Sequence, residues 1–214
     1  MKICIILNGE VNNYKETKYI IENQGYDYII CCDGGANHTY NMDIVPQYII
    51  GDLDSIKEEV LEYYKHKNVV FKKFPTKKDE TDMELGIYLA KTLRAKRIDF
   101  IGALGGRIDH TIANINILSY IKSMNIECNI LSENESIHLI RNEKIEIQGN
   151  KDEIISIIPV EGDAKKVTLR ELEYPLNKYN MKYGIPLGIS NVMKSKKCTI
   201  EVEDGSLLIV HQNK

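Results

Sequence analysis

Tryptophan is absent from this 214-residue chain, and phenylalanine occurs only three times. Any aromatic wall for a ring-shaped ligand must therefore come from its 13 tyrosines. Cysteine is sparse, odd in number at five, and never spaced as CxxC. That excludes a disulfide framework and the usual zinc patterns. Cys4, Cys31, Cys32 and Cys128 stand in apolar, strand-like runs and read as small buried hydrophobes of a reducing compartment. No apolar run reaches membrane-spanning length, and the one in "MKICIILNGE" is too short for a signal peptide, so a cytoplasmic location is expected. A net charge of −3 gives no electrostatic footprint for nucleic acid or a membrane surface. Lys65/Lys67, Lys72/Lys73 and Lys77/Lys78 read as solvated faces. Repeats, low-complexity runs and Gly/Ser linkers are also missing.

What is present is a chain of two rhythms. Up to about residue 134, short apolar runs (Lys2–Leu7, Tyr28–Cys32, Tyr48–Ile50, Val69–Phe74, Ile98–Ile101, Glu127–Leu131) alternate with amphipathic segments. The segments Tyr14–Asn23, Ala36–Asn41, Ser55–Lys65, Thr81–Lys96 and Asp109–Met124 are predicted helices, the last with an apolar stripe through Ile112, Ile115, Leu118 and Ile121. This alternation predicts an α/β domain over 1–134, doubly wound, with a mostly parallel sheet and helices on both faces. Over 135–214 the segments Ser136–Ile140, Lys144–Ile147, Glu153–Ile158, Lys166–Leu169, Cys198–Val202 and Leu207–His211 are separated by turn-forming residues. They predict a small antiparallel β-sandwich.

Acidic residues fall where the predicted strands end. Asp33 follows Tyr28–Cys32, Asp52 and Asp54 follow Tyr48–Ile50, and Arg107 and Asp109 follow Ile98–Ile101. Asp79 and Asp82 open the helix after Val69–Phe74. The carboxyl ends of parallel strands share one edge, where ligands bind. Any one of these aspartates could be a helix cap. Together they form a like-charge crowd that needs a cation to offset it. An oxygen-only ligand set points to a hard metal, Mg²⁺ before Ca²⁺.

The glycines of "DGGAN" and "GALGGR" lie between strand and helix, where exposed N–H groups favour phosphate. Arg107 adds a planar fork for phosphate oxygens. Neither GxxxxGK[ST] nor a GxGxxG after the first strand is present, so a nucleotide would bind without a P-loop. From residues alone His110 reads as a first-turn residue, and Asn114 and Asn116 as helix-face residues, Asn114 close enough to line the site.

Four ordered blocks resemble the thiamine pyrophosphokinase family: "DGGAN" (Asp33–Asn37), "GDLDS" (Gly51–Ser55), "DETDMELGI" (Asp79–Ile87) and "GALGGRIDHTIANI" (Gly102–Ile115). A weaker fifth is "YPLN…GISN" (Tyr174–Asn177, Gly188–Asn191). The resemblance implies an ATP-binding catalytic domain, a thiamine-binding β-sandwich and a homodimer with the active site between subunits. It implies transfer of a diphosphate group from MgATP to the hydroxyl of thiamine, releasing AMP. By that likeness Asp33, Asp52, Asp54 and Asp82 would hold Mg²⁺, with Asp82, Arg107 and Asp109 catalytic. Asp33, Gly34, Gly35, Asn37, Asp79, Thr81, Gly105, Gly106, Arg107 and His110 would line the ATP site. Tyr174, Ser190 and Asn191 would form the thiamine pocket from the partner subunit. A glycine is expected before the "LEYPL" segment, where Glu171 stands. The residue pattern leaves other chemistries open: a pterin-directed pyrophosphokinase, a metal-dependent phosphohydrolase or nucleotide-sugar transferase, and a nucleotide sensor without turnover.

Overall fold

The computed structural model describes residues 1–75 and 80–212. It divides into two compact units, Met1–Glu133 and Asn134–Lys214.

In the first unit six strands run parallel: β1 (Lys2–Ile6), β2 (Tyr28–Cys32), β3 (Tyr48–Gly51), β4 (Val70–Lys73), β5 (Arg97–Ile101) and β6 (Glu127–Leu131), in the order β4-β3-β2-β1-β5-β6. Five helices connect them: α1 (Tyr14–Asn23), α2 (Gly35–Asn41), α3 (Glu58–Lys65), α4 (Asp82–Thr92) and α5 (Ile108–Ser123). Alternation along the strands sends Cys4, Ile6, Cys31 and Ile49 into one apolar layer with Ile21, Ala36, Val60 and Tyr64 of α1, α2 and α3. Ile5 and Cys32 face the other way, against Gly86 of α4, where an added Cβ would lie 2.8 Å from the Cys32 sulfur. The order reverses between β1 and β5, so the crevice at their carboxyl ends is the switch point of the sheet. Asp99, fully buried in β5, is held by Arg97 Nε, the Tyr26 hydroxyl and Asn129 Nδ2.

In the first unit the helices differ from the sequence reading at several points. Helix α3 begins at Glu58 rather than Ser55, because the Asn37 side chain ties Ser55 O and Lys57 N into a turn. Helix α4 stops at Thr92, short of Lys96, where Arg94 turns left-handed at φ +60° to enter β5. The expected stripe on α5 is not a buried face: Leu118 and Ile121 are buried, while Ile112 is 52% exposed.

In the second unit every described strand pairing is antiparallel. Its strands are β7 (Glu135–Arg141), β8 (Lys144–Gln148), β9 (Ile154–Arg170), β10 (Leu176–Met181), β11 (Asn191–Val192), β12 (Lys197–Glu201) and β13 (Asp204–Gln212). The two predicted segments Glu153–Ile158 and Lys166–Leu169 belong to one 17-residue strand, β9. Its first part pairs with β13 and β11 and its last part with β10 and β12. The change of sheet follows left-handed residues at Glu161 and Gly162. A strand that passes from one sheet to the other builds the corner of a sandwich. Ile155, Ile157, Val167, Leu169, Ile200 and Ile209 fill the space between the layers.

A buried polar knot closes one edge of this unit. Glu153, 3% exposed, accepts from Asn150 N and Nδ2 and lies 2.8 Å from His211 Nε2. Burial pushes the Glu153 carboxyl up, but the hydrogen bonds from Asn150 and His211 outweigh it and hold the group below its ordinary value. A carboxyl so depressed adds stability that is complete above its unfolded value and is lost as the pH falls through the folded one. Glu153→Gln is therefore expected to cost about 2 kcal/mol at neutral pH. In thermal melts its gap to the wild type should narrow as the solution is acidified; a gap that stays constant through the acid range contradicts this assignment.

Candidate active site

The strand ends of the first unit converge on a cleft of about 1000 Å³. Its floor is made by Leu7, Asn8 and Gly9 after β1, and by Cys32 and Asp33 after β2. Asp52 and Ser55 come from beyond β3, and Thr81 and Asp82 from the start of α4. Ala103, Gly105, Gly106 and Arg107 follow β5, and His110, Asn114 and Asn116 project from α5. The size is at the upper end of small-ligand pockets, which run to roughly 1,000 Å³.

Asp33 is the anchor of the acidic rim. It adopts φ +48°, is 7% exposed, and its N–H donates to Ile50 O at 2.8 Å. One of its carboxylate oxygens is buried without a hydrogen-bond partner. Burial raises its pKa; Ser55 partly opposes the shift, while Asp82, Asp52 and Asp54 add to it by like-charge repulsion. Oxygens of Asp33, Asp52 and Asp54 all lie within 4.8 Å of one another. Nearby turns are drawn tight around this cluster: Leu53 is left-handed at φ +71°, Asp54 N donates to Asp52 Oδ1, and the Ser55 hydroxyl donates to Asp54 Oδ1. A buried, unpaired carboxylate oxygen beside two further carboxylates fits a hard divalent cation.

Thr81 caps α4 in a reciprocal capping box with Glu84. The cap is thus Thr81 and not Asp82, whose carboxylate faces the cleft from the first turn, where the helix dipole favours negative charge. Asp79 lies outside the described residues.

Gly34, Gly35, Asn37, Asp54 and Asp109 are not among the groups that line the cleft. Gly35 has no space for a side chain, since a Cβ would lie 2.1 Å from Ile6 O. Gly34 is packed in the same way against the Asn8 side chain. Gly35 therefore lets α2 approach β1, and Gly34 leaves room for Asn8. Asn37 spends its amide on the Ser55–Lys57 turn.

Asp109 receives the Arg107 guanidinium in a two-point pair, Nε to Oδ1 at 3.1 Å and Nη2 to Oδ2 at 2.6 Å. That pairing holds the Asp109 carboxyl below its ordinary value, which makes it a poorer proton acceptor. The two side chains are 72% and 60% exposed, so the pair is weakly held and a phosphate can compete for the fork. The Asn114 amide donates to Ala103 O at 2.8 Å, fixing the glycine turn from the helix side.

In the second unit Asn191 is 3% exposed and bonds to both Tyr174 N and Tyr174 O. It presents the Tyr174 ring, which is 68% exposed. Ser190, left-handed at φ +57°, donates its N–H to the Ser156 hydroxyl. Glu171 takes φ +60°, the conformation for which a glycine is the ready choice.

Asn8 and Gly9 were not singled out from the sequence. Their signal was available: "LNG" directly follows the first strand, at the edge where the other strand ends were read as functional.

Comparison with known proteins agrees with the architecture. Residues 20–130 match the family model "Thiamin pyrophosphokinase, catalytic domain", and residues 136–207 match "Thiamin pyrophosphokinase, vitamin B1 binding domain". The chain is 27% identical to a thiamine pyrophosphokinase of Bacillus subtilis over 179 residues, 83% of this chain and 84% of that one. It is 30% identical to thiamine pyrophosphokinase 1 of Arabidopsis thaliana over 204 residues, 84% of this chain and 75% of the other. The crystal structure of the Bacillus subtilis enzyme superposes with a TM-score of 0.88 at 25% identity, covering 100% of both chains. By these matches, the chain belongs to the thiamin pyrophosphokinase family.

Proposed function

We infer that this protein transfers a diphosphate group from ATP to the hydroxyl of thiamine, yielding thiamine diphosphate and AMP. The family match carries the reaction. The observation that carries the site is the trio Asp33, Asp52 and Asp54 converging beside the glycine turn that bears Arg107.

In this reading the thiamine hydroxyl oxygen bonds to the β-phosphorus, the bond from that phosphorus to the α,β-bridging oxygen breaks, and AMP leaves with the electron pair. Mg²⁺ held by Asp33, Asp52, Asp54 and Asp82 would supply charge neutralisation along the triphosphate. The Gly105–Gly106 backbone lets phosphate approach closely, and Arg107 turns its fork from Asp109 to the transferring group, where negative charge grows. Asp82 lines the cleft and Asp109 does not, which favours Asp82 as the acceptor for the hydroxyl proton. Thr81 fixes the first turn from which Asp82 projects. His110 and Asn114 line the nucleotide side of the cleft.

The acceptor side is assigned to the second unit. Tyr174 offers an exposed phenol face for a cationic thiazolium. Asn191 and Ser190 fix the loop around it. Both units carry apolar side chains in water: Ile108 and Ile112 on α5, and Tyr183, Ile185, Leu187 and Ile189 in the second unit, each at least 50% exposed. Such surface favours burial against another copy. The working form in this proposal is a homodimer, with Tyr174 of one subunit facing the phosphate cleft of the other. No helix of the described residues is long and apolar enough to cross a membrane. The five cysteines are free and buried, which suits the reducing cytoplasm.

Purified protein given MgATP and thiamine is expected to release AMP in step with thiamine diphosphate; ADP as the product would point to an ordinary kinase. Asp52→Asn and Asp54→Asn should each lower turnover about 100-fold or more with little change in melting temperature. Wild-type rates in both would remove the metal assignment. Arg107→Lys keeps the charge and loses the fork, so kcat should fall about 100-fold; an unchanged kcat would exclude Arg107 from the transition state.

A further inference from the structure

One charged side chain grips the Gly105–Gly106 turn without lining the cleft: Glu10. The segment after β1 runs beside the turn after β5 and is zipped to it by backbone bonds. Leu7 N donates to Ile101 O at 2.8 Å, Gly9 N to Gly102 O at 2.7 Å, and Glu10 N to Leu104 O at 2.9 Å. The zip ends in a side chain, where Glu10 Oε1 accepts the Gly106 N–H at 2.9 Å. The fit is close. A Cβ on Gly105, which sits at φ +81°, would lie 2.5 Å from the Glu10 carboxyl carbon.

Two consecutive left-handed glycines have no side chains to pack and much freedom to lose. From α5 the turn is tied at Ala103 O by Asn114 and at Gly105 O by the Thr111 hydroxyl. Among the described residues, the carboxylate that ties its last glycine is Glu10, and the next residue is Arg107. A carboxylate repels a triphosphate, so this one serves the site only by acting through the backbone. We propose that Glu10 is a positioning residue for diphosphate transfer: its carboxylate fixes the Gly106 N–H, and with it the point from which Arg107 reaches the transferring group. The claim rests on the functional reading above.

The test compares Glu10→Ala with Glu10→Gln, which keeps an acceptor oxygen. Loss of the charge-assisted bond is expected to lower kcat/KM for MgATP about tenfold in Glu10→Ala. The KM for thiamine should stay within about twofold, and Glu10→Gln should recover to within about threefold of wild type. Both variants should melt with the wild type, because Glu10 is exposed. The proposal is overturned by wild-type kinetics in Glu10→Ala, by a Glu10→Gln no better than Glu10→Ala, or by a melting temperature that falls in parallel with activity. A wild type that yields no thiamine diphosphate speaks against the functional reading instead. Calorimetry with α,β-methylene-ATP then decides the Glu10 claim: about tenfold weaker binding in Glu10→Ala supports it, and equal binding overturns it.

Discussion

Mutual repulsion among carboxylates at one edge of a parallel sheet is the constraint around which the first unit is organised. At Asp33 burial is the larger cause, lifting a carboxyl that has one oxygen without a partner, and the like charges of Asp82, Asp52 and Asp54 add to it. A carboxyl whose pKa is raised on folding contributes nothing to stability where both states are protonated. It costs stability once the unfolded form ionises first, and the cost is complete above the folded value. The left-handed backbone at Asp33 and Leu53 adds local strain to this electrostatic cost. A protein retains such a cluster when a bound cation offsets it.

The rest of the unit supports that edge. Reversal of strand order between β1 and β5 opens a crevice at the switch point, and the turns on either side of it are zipped together through Gly9, Gly102 and Leu104. Helix α2 comes close to β1 because Gly35 carries no side chain. Helix α4 brings Asp82 in by capping itself on Thr81. The positive end of the cleft is Arg107, parked on an exposed carboxylate from which a phosphate can draw it. Strand ends thus supply the acids, while a glycine turn carries the guanidinium of Arg107.

Much of this was legible in the sequence because the signals are local. Strand ends and the acids after each strand follow from short-range periodicity and turn chemistry, whereas the cap of α4 falls on Thr81 rather than on an aspartate. The antiparallel rhythm of the second half was equally readable. What escaped detection was set by partners distant in the chain. Glu161 and Gly162 look like a loop, yet they only bend β9, because both its parts find strands to pair with. β10 was missed because its residues are mostly exposed and Lys178 is left-handed. The amides of Asn37 and Asn191 are each engaged with a backbone segment at least 17 residues away, which local sequence does not reveal. The Arg107–Asp109 pair is likewise hidden, because two-residue spacing does not reveal a guanidinium folding back. Glu10 belongs to the same class: its partner, Gly106, is 96 residues on.

The central claim is that the acidic rim is destabilising by itself and is relieved by a divalent cation. It is tested most directly by melting the wild type and Asp33→Asn in EDTA and across a Mg²⁺ titration. The account expects Asp33→Asn to melt above the wild type in EDTA. It expects Mg²⁺ to raise the wild type, by about 2.7 kcal/mol of stability at a hundredfold excess over Kd, and to leave the variant nearly unmoved. A wild type that melts identically with and without Mg²⁺, and never below Asp33→Asn, would contradict it.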